Sequence, residues 1–172
     1  AKVGFEVGDD PGLVKAIVST VKKATNVPVI AKVGLGTSNY LNTVSTAIDS
    51  GIDAITAINT VRAIAIDVET QRPILSNKFG GLSGTPIKPI ALRCVYEISS
   101  KYDIPIIGCG GISTWEDAVE FFLAGSSGVQ LGSAIGDNWV GVFDDINKGI
   151  VQYMERKGFS TIKEMVGLAK KS

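Results

Sequence analysis

Short β-branched runs alternate with helical stretches along the chain, and each run stops at glycine or a small polar residue. No other feature constrains the fold as strongly, because strand–helix succession builds a parallel sheet covered by helices. Asp10-Pro11 opens a helical pattern, with Asp10 as N-cap, Pro11 at the first helical position and Leu13, Ile17 and Val21 on one face. Val27 to Val33 reads as a buried strand, and Leu41, Val44 and Ile48 mark a helix stopped by Gly51. Ala54 to Ile58 is a second strand ending in Asn59-Thr60. Ile104 to Ile107 is a third, ending in Gly108-Cys109-Gly110-Gly111, and Gly128 to Leu131 is a fourth, ending in Gly132-Ser133.

The helices between and after these strands carry their own signals. Ile87, Ile90, Ala91, Cys94, Val95 and Ile98 share a helix face, with prolines only in the first turn. Ser113 to Glu116 reads as a capping box for a helix that stops at Gly125. A long helix then places Trp139, Val142, Phe143, Ile146, Ile150, Tyr153 and Met154 on one face, and a short helix follows Ser160-Thr161. Trp115 and Trp139 both fit helix-packing roles. Residues 61–84 break the rhythm and read as an inserted hairpin followed by the glycine-rich loop Gly80-Gly81-Leu82-Ser83-Gly84. The sum is four βα units in a row, an α/β class with a parallel sheet.

Composition narrows the chemistry. The 172 residues carry 17 Lys and Arg against 17 Asp and Glu, which argues against a nucleic-acid or polyanion binder. Zero histidines exclude Ser-His-Asp triads, histidine acid–base steps and most zinc sites within this chain. Two cysteines make no disulfide framework, so a reducing, cytoplasmic setting is expected. No apolar run reaches the roughly 18 residues of a membrane span.

Ligands of parallel α/β folds bind at the carboxyl ends of the strands. Those ends hold Lys32, Asn59-Thr60, Gly108 to Gly111 and Gly132-Ser133, with Gly80 to Gly84 on the inserted loop. Glycines let backbone N–H groups approach an anion closely, and a following helix adds partial positive charge. Paired glycine ends on consecutive strands near the C-terminus match the phosphate site of a TIM barrel, where a bare tight turn is the alternative. Lys32 in an apolar strand suits an anionic or polar ligand, or a lysine whose stem packs while its head reaches water. Asn59 and Thr60 read alone as a cap or turn, and otherwise offer an amide and a hydroxyl to a planar polar ligand. Cys109 has no histidine to activate it and reads as structural; Cys94 reads as core.

Asn59-Thr60, Gly80-Gly81-Leu82-Ser83-Gly84, Lys88-Pro89-Ile90-Ala91-Leu92-Arg93 and Ile106-Ile107-Gly108-Cys109-Gly110-Gly111-Ile112, in this order, resemble dihydroorotate dehydrogenase. The resemblance is closest to the class 1 branch that works with an iron–sulfur/FAD subunit, and it covers essentially the whole chain. It implies the C-terminal half of a TIM (β/α)8 barrel, with residues 1–172 forming that part of an FMN-binding domain and 61–84 its insertion. Dihydroorotate would be oxidised to orotate in pyrimidine biosynthesis, by removal of a C5 proton and transfer of hydride from C6 to FMN. Lys32 matches the family lysine at the flavin, where its charge would stabilise the reduced form. Ile58 matches a flavin-packing position and Gly84 the flavin-contacting glycine of the inserted loop. Gly110, Gly111, Gly132 and Ser133 match the grip on the FMN phosphate, and Asn59 and Thr60 the pair that contacts orotate.

The family's catalytic base is a cysteine in an Asn-x-Ser-Cys-Pro-Asn loop, just before the segment that Gly8-Asp9-Asp10-Pro11 matches. The base is therefore expected upstream of Ala1, and neither Cys94 nor Cys109 matches it. Expected partners are the N-terminal half of the barrel, a second barrel in a homodimer and an iron–sulfur/FAD electron-transfer subunit. A half-barrel on its own exposes two strand edges and an apolar interior, so poor solubility is expected of it. The rival readings are a related FMN barrel, such as a dihydropyrimidine dehydrogenase domain, and a non-catalytic phosphate-binding half-barrel.

Overall fold

The computed structural model describes residues 8, 10–36 and 39–171, apart from the side chains of residues 137 and 138. Asp9 and the chain start therefore lie outside the described residues. The first helix, α1 (Pro11–Ala24), is capped as its sequence requires: Gly12 and Leu13 donate their N–H to Asp10 Oδ1 at 2.8 and 3.2 Å. Strand β1 (Ile30–Val33), helix α2 (Tyr40–Asp49) and strand β2 (Ala54–Ala57) follow. The insertion is a pair of nested hairpins, with β3 (Val61–Ala63) antiparallel to β6 (Gly80–Leu82) and β4 (Ile66–Asp67) antiparallel to β5 (Arg72–Pro73). Helix α3 (Lys88–Lys101), strand β7 (Ile106–Cys109), helix α4 (Trp115–Ala124) and strand β8 (Gly128–Gln130) resume the alternation. A five-residue helix α5 (Ala134–Asn138), the long α6 (Gly141–Lys157) and two 3-10 turns, Ile162–Glu164 and Leu168–Lys170, finish the described chain.

The four long-range strands form one parallel sheet in the order β1-β2-β7-β8. Strand register puts Ile55, Ala57, Ile106 and Gly108 on the face that meets the helices, where Val44, Val95, Ile98 and Phe121 complete the core. Gly108 is part of that packing: a Cβ there would sit 2.3 Å from Phe121 Cδ1. Helix α1 packs on α2, α3 on α4, and α4 on α6. Among the described residues no helix is long and apolar enough to cross a membrane.

Several sequence expectations shift. The first strand is less buried than its apolar run implies. Among the described residues it is an edge strand, with Ile30 48% exposed and Lys32 exposed on the face away from the helices. In α1 the residues that bury are Val14 and Val18, whereas Leu13, Ile17 and Val21 stay 40–48% exposed. The capping box of α4 is Thr114 with Asp117, one residue later than expected, because Asp117 reaches back to the cap N–H. Trp115 packs between α4 and α6, but Trp139 stands before α6 with 80% exposure and φ of +53°. The terminal helix is two 3-10 turns.

Candidate functional site

All four parallel strands point their carboxyl ends to one edge of the sheet, and backbone bonds tie those ends together. Asn59 donates its N–H to the Val33 carbonyl and Ile58 donates to that of Cys109, each at 2.7 Å. Asn59 and Thr60 are exposed just past β2, with Thr60 N–H bonded to Asn59 Oδ1 at 3.0 Å. The asparagine thus shapes the turn as a cap would, while the Thr60 hydroxyl meets the stem of the insertion. Gly81 has to be glycine there, since a Cβ would lie 2.2 Å from Thr60 Oγ1.

The insertion returns to the same edge at Gly84, whose φ of +82° favours glycine. A Cβ on Gly84 would be 3.6 Å from Ser133 Oγ, so the loop ends beside the turn that follows β8. Gly111, at φ +75°, fits even more tightly: a Cβ would lie 2.7 Å from the Lys88 backbone nitrogen and 2.9 Å from the Gly84 carbonyl oxygen. Gly110 packs in the same way on Ala91 of α3, 2.9 Å from a built Cβ to the alanine Cβ. Gly84, Gly110, Gly111 and Ser133, far apart in the chain, are thereby brought together. Gly132 faces open space, with no atom within 4 Å of a built Cβ. The N–H groups of Gly111, Gly132 and Ser133 find no acceptor among the described residues. Gly132 and Ser133 are exposed, so their N–H groups are open to an anionic oxygen as well as to water.

The remaining expected residues sit around this corner differently. Lys32 is level with Thr56 in the β1–β2 register and lies on the open face of the sheet, without an ion pair among the described residues. Ile58 is 1% exposed, so its side chain belongs to the core and offers no surface to a planar ligand. Cys94 is fully buried, and burial pushes its thiol up, out of reach as a nucleophile. Cys109 is half-buried. No cluster of His, Cys, Asp and Glu able to hold a metal ion occurs among the described residues.

Two charged residues that sequence reasoning passed over hold the corner in shape. Lys88 Nζ, from the first residue of α3, lies 2.7 Å from Asp117 Oδ1 and 3.1 Å from Glu120 Oε2. Asp117 Oδ2 accepts from Ser113 N–H at 2.9 Å, Ser113 Oγ at 3.1 Å and Thr114 N–H at 3.0 Å. Burial works to raise the Asp117 pKa, but the Lys88 ammonium and the two N–H donors outweigh it and hold the carboxyl below the usual range. Both residues carry a signal in hindsight. Lys88 starts a helix right after a glycine-rich loop, and Asp117 stands three residues after a capping threonine.

The dihydroorotate dehydrogenase family model matches residues 1–154. The chain is 54% identical over 168 residues to the catalytic subunit of dihydroorotate dehydrogenase B (NAD(+)) from Pyrococcus furiosus, a match covering 98% of this chain and 56% of that protein. The subunit of the same name from Thermococcus kodakarensis is 50% identical over 166 residues, covering 96% of this chain and 55% of that protein. The one from Methanosarcina mazei is 46% identical over 166 residues, covering 96% and 52%. The chain spans about half the length of the curated relatives it matches. With that identity along nearly its whole length, and with the glycine ends assembled at one sheet edge, the chain belongs to the dihydroorotate dehydrogenase family, in its class 1 branch.

Proposed function

We propose that the chain is the C-terminal part of an FMN-binding (β/α)8 barrel that oxidises dihydroorotate to orotate, a step of pyrimidine biosynthesis. The observation that carries this reading is the convergence of Gly84, Gly111 and Ser133 at one corner, beside the open space at Gly132 and the unpaired N–H donors. Supporting a phosphate here are the backbone N–H groups of the glycine corner, and a Cβ at Gly111 would crowd that corner. When bound, FMN supplies the acceptor for the hydride. The chain's own residues bind and orient. Gly110, Gly111, Gly132 and Ser133 take the phosphate, and Gly84 lets the inserted loop lie against the cofactor. Lys32 places a positive charge on the open face of the sheet, favouring a negatively charged ring. Ile58 supports the strand end from within the core. Asn59 and Thr60 present an amide and a hydroxyl to the orotate carboxylate and ring amides.

The base that removes the substrate proton is assigned to the complementary half of the barrel, because the family resemblance puts it ahead of the segment that Gly8-Asp9-Asp10-Pro11 matches and neither Cys94 nor Cys109 stands at that position. Support for such a half comes from β1, which among the described residues is an edge strand beside an apolar groove lined by Val14, Ile17, Val18, Val21 and Ile30. Strand edges and apolar grooves of this kind call for cover. The same reading places the protein in the cytoplasm, as a homodimer of barrels served by an iron–sulfur/FAD electron-transfer subunit. The test is to combine the chain with the N-terminal portion of its barrel, add FMN and follow orotate formation. Turnover is expected; intact folding without turnover would overturn the enzyme reading.

A further inference from the structure

The Lys88–Asp117 pair closes a ring of contacts around the glycine corner. Lys88 begins α3 directly behind the inserted loop, and its backbone nitrogen lies where a Cβ on Gly111 would be 2.7 Å away. Its ammonium reaches Asp117, whose second carboxylate oxygen holds Ser113 and Thr114, the residues that follow the glycine strand end. One carboxylate, 8% exposed, thus fastens the start of α3 to the loop after β7. Between those two anchors lie the Gly84 carbonyl and the Gly111 backbone, close enough that a Cβ on Gly111 would sit 2.9 Å from the Gly84 oxygen.

Helix capping does not need the lysine. Thr114 Oγ1 already accepts the Asp117 N–H at 3.3 Å, and Asp117 Oδ2 already has three donors from Ser113 and Thr114. Asp117 is nearly buried and Lys88 partly so, so removing the ammonium also costs stability, which is why the melting temperature is read beside the affinities. What the Lys88 ammonium adds is the fixed distance between the insertion and the strand end, that is, the width of the cradle. A preorganised cradle keeps its donors aimed at the anion without reordering on binding.

We infer that Lys88 and Asp117 are positioning residues that set the phosphate cradle, and that through it they make the protein select the phosphorylated flavin over riboflavin. This rests on the FMN reading above. FMN and riboflavin differ only in the phosphate, so a role in the cradle changes the ratio of their affinities, whereas general loosening of the fold changes both.

The experiment titrates the intact protein, freed of flavin, with FMN and with riboflavin by quenching of flavin fluorescence, alongside the melting temperature. Lys88→Met keeps the stem and removes the ammonium; Asp117→Asn keeps an acceptor for Ser113 and Thr114 and removes the charge partner. Each is expected to weaken FMN binding by about ten- to a hundredfold, the equivalent of one charge-assisted hydrogen bond, with riboflavin affinity unchanged. The double variant is expected to lose no more than either single, because the two act as one unit. Equal losses for both flavins, unchanged FMN affinity, or additive losses would overturn the inference. Failure of the unaltered protein to bind FMN would instead remove the cofactor reading on which it stands.

Discussion

Replacing Gly111 by alanine is expected to destabilise the protein sharply, and the structure states why. The residue sits at φ +75°, where an L-side chain costs about 1–2 kcal/mol. Its new Cβ would fall 2.7 Å from the Lys88 Cβ, 2.7 Å from the Lys88 nitrogen and 2.9 Å from the Gly84 carbonyl oxygen. Two of those three are backbone atoms, and Lys88 is tethered to Asp117, so no flexible side-chain tip can swing away. Overpacking of this kind costs a further 1–3 kcal/mol or so. A total near 3 kcal/mol corresponds to a melting temperature lower by about 6–12 °C in a chain of this size. Gly132→Ala is the control, since no atom lies within 4 Å of its built Cβ. It should stay within about 0.5 kcal/mol of the unaltered protein. Thermal unfolding followed by circular dichroism reads both. A Gly111→Ala protein that melts with Gly132→Ala would refute the claim that insertion, α3 and strand end meet at that glycine.

Other consequences follow from the same contacts. Gly149→Ala would put a Cβ 2.1 Å from Trp115 Cγ at the α4–α6 crossing, so a loss of about 1–3 kcal/mol and a changed tryptophan emission are expected. The Asp117 carboxyl is held low in the folded state, so its stabilisation is complete above the unfolded pKa of about 4 and disappears as pH falls through the lower folded value. Urea midpoints measured down the acid limb should therefore fall less steeply in Asp117→Asn. Burial first, and then the hydrogen bond to Glu97, push the Tyr40 phenol up. Its folded form keeps the proton, so its contribution to stability declines as pH rises beyond about 10, and ultraviolet titration should show its phenolate only on alkaline unfolding. Tyr40→Phe is expected to cost about 1 kcal/mol, measured by the urea midpoint.

How much of this the sequence discloses depends on whether the information is local. The Asp10 cap, the stop at Gly125 and the apolar face of α3 are set by neighbours in the chain, and each appears where its residues place it. The strand ends carrying Asn59-Thr60, Gly110-Gly111 and Gly132-Ser133 are likewise local features. Which side of a wide apolar stripe becomes buried is not local. Val14 and Val18 are chosen over Leu13, Ile17 and Val21 by where α2 and the sheet happen to stand. The exposure of Ile30 and Lys32 depends on β1 being an edge, a fact of sheet order that its own residues do not encode. Trp139 reads as one more apolar position at helical spacing, yet α6 begins two residues later and leaves it outside. Lys88 and Asp117 escape notice because a lysine at a helix start and an aspartate in its first turn are ordinary; their 2.7 Å meeting across 29 residues is not visible from either one.

In the function proposed, the glycine ends of β7 and β8, closed by the inserted loop, hold the cofactor phosphate. A crystal structure of the protein grown with FMN tests it most directly. The expected result is phosphate oxygens within hydrogen-bond distance of the N–H groups of Gly111, Gly132 and Ser133, with the ring system over the open face near Lys32. An FMN phosphate bound at any other place on the protein, with those three N–H groups still unpaired, would contradict it.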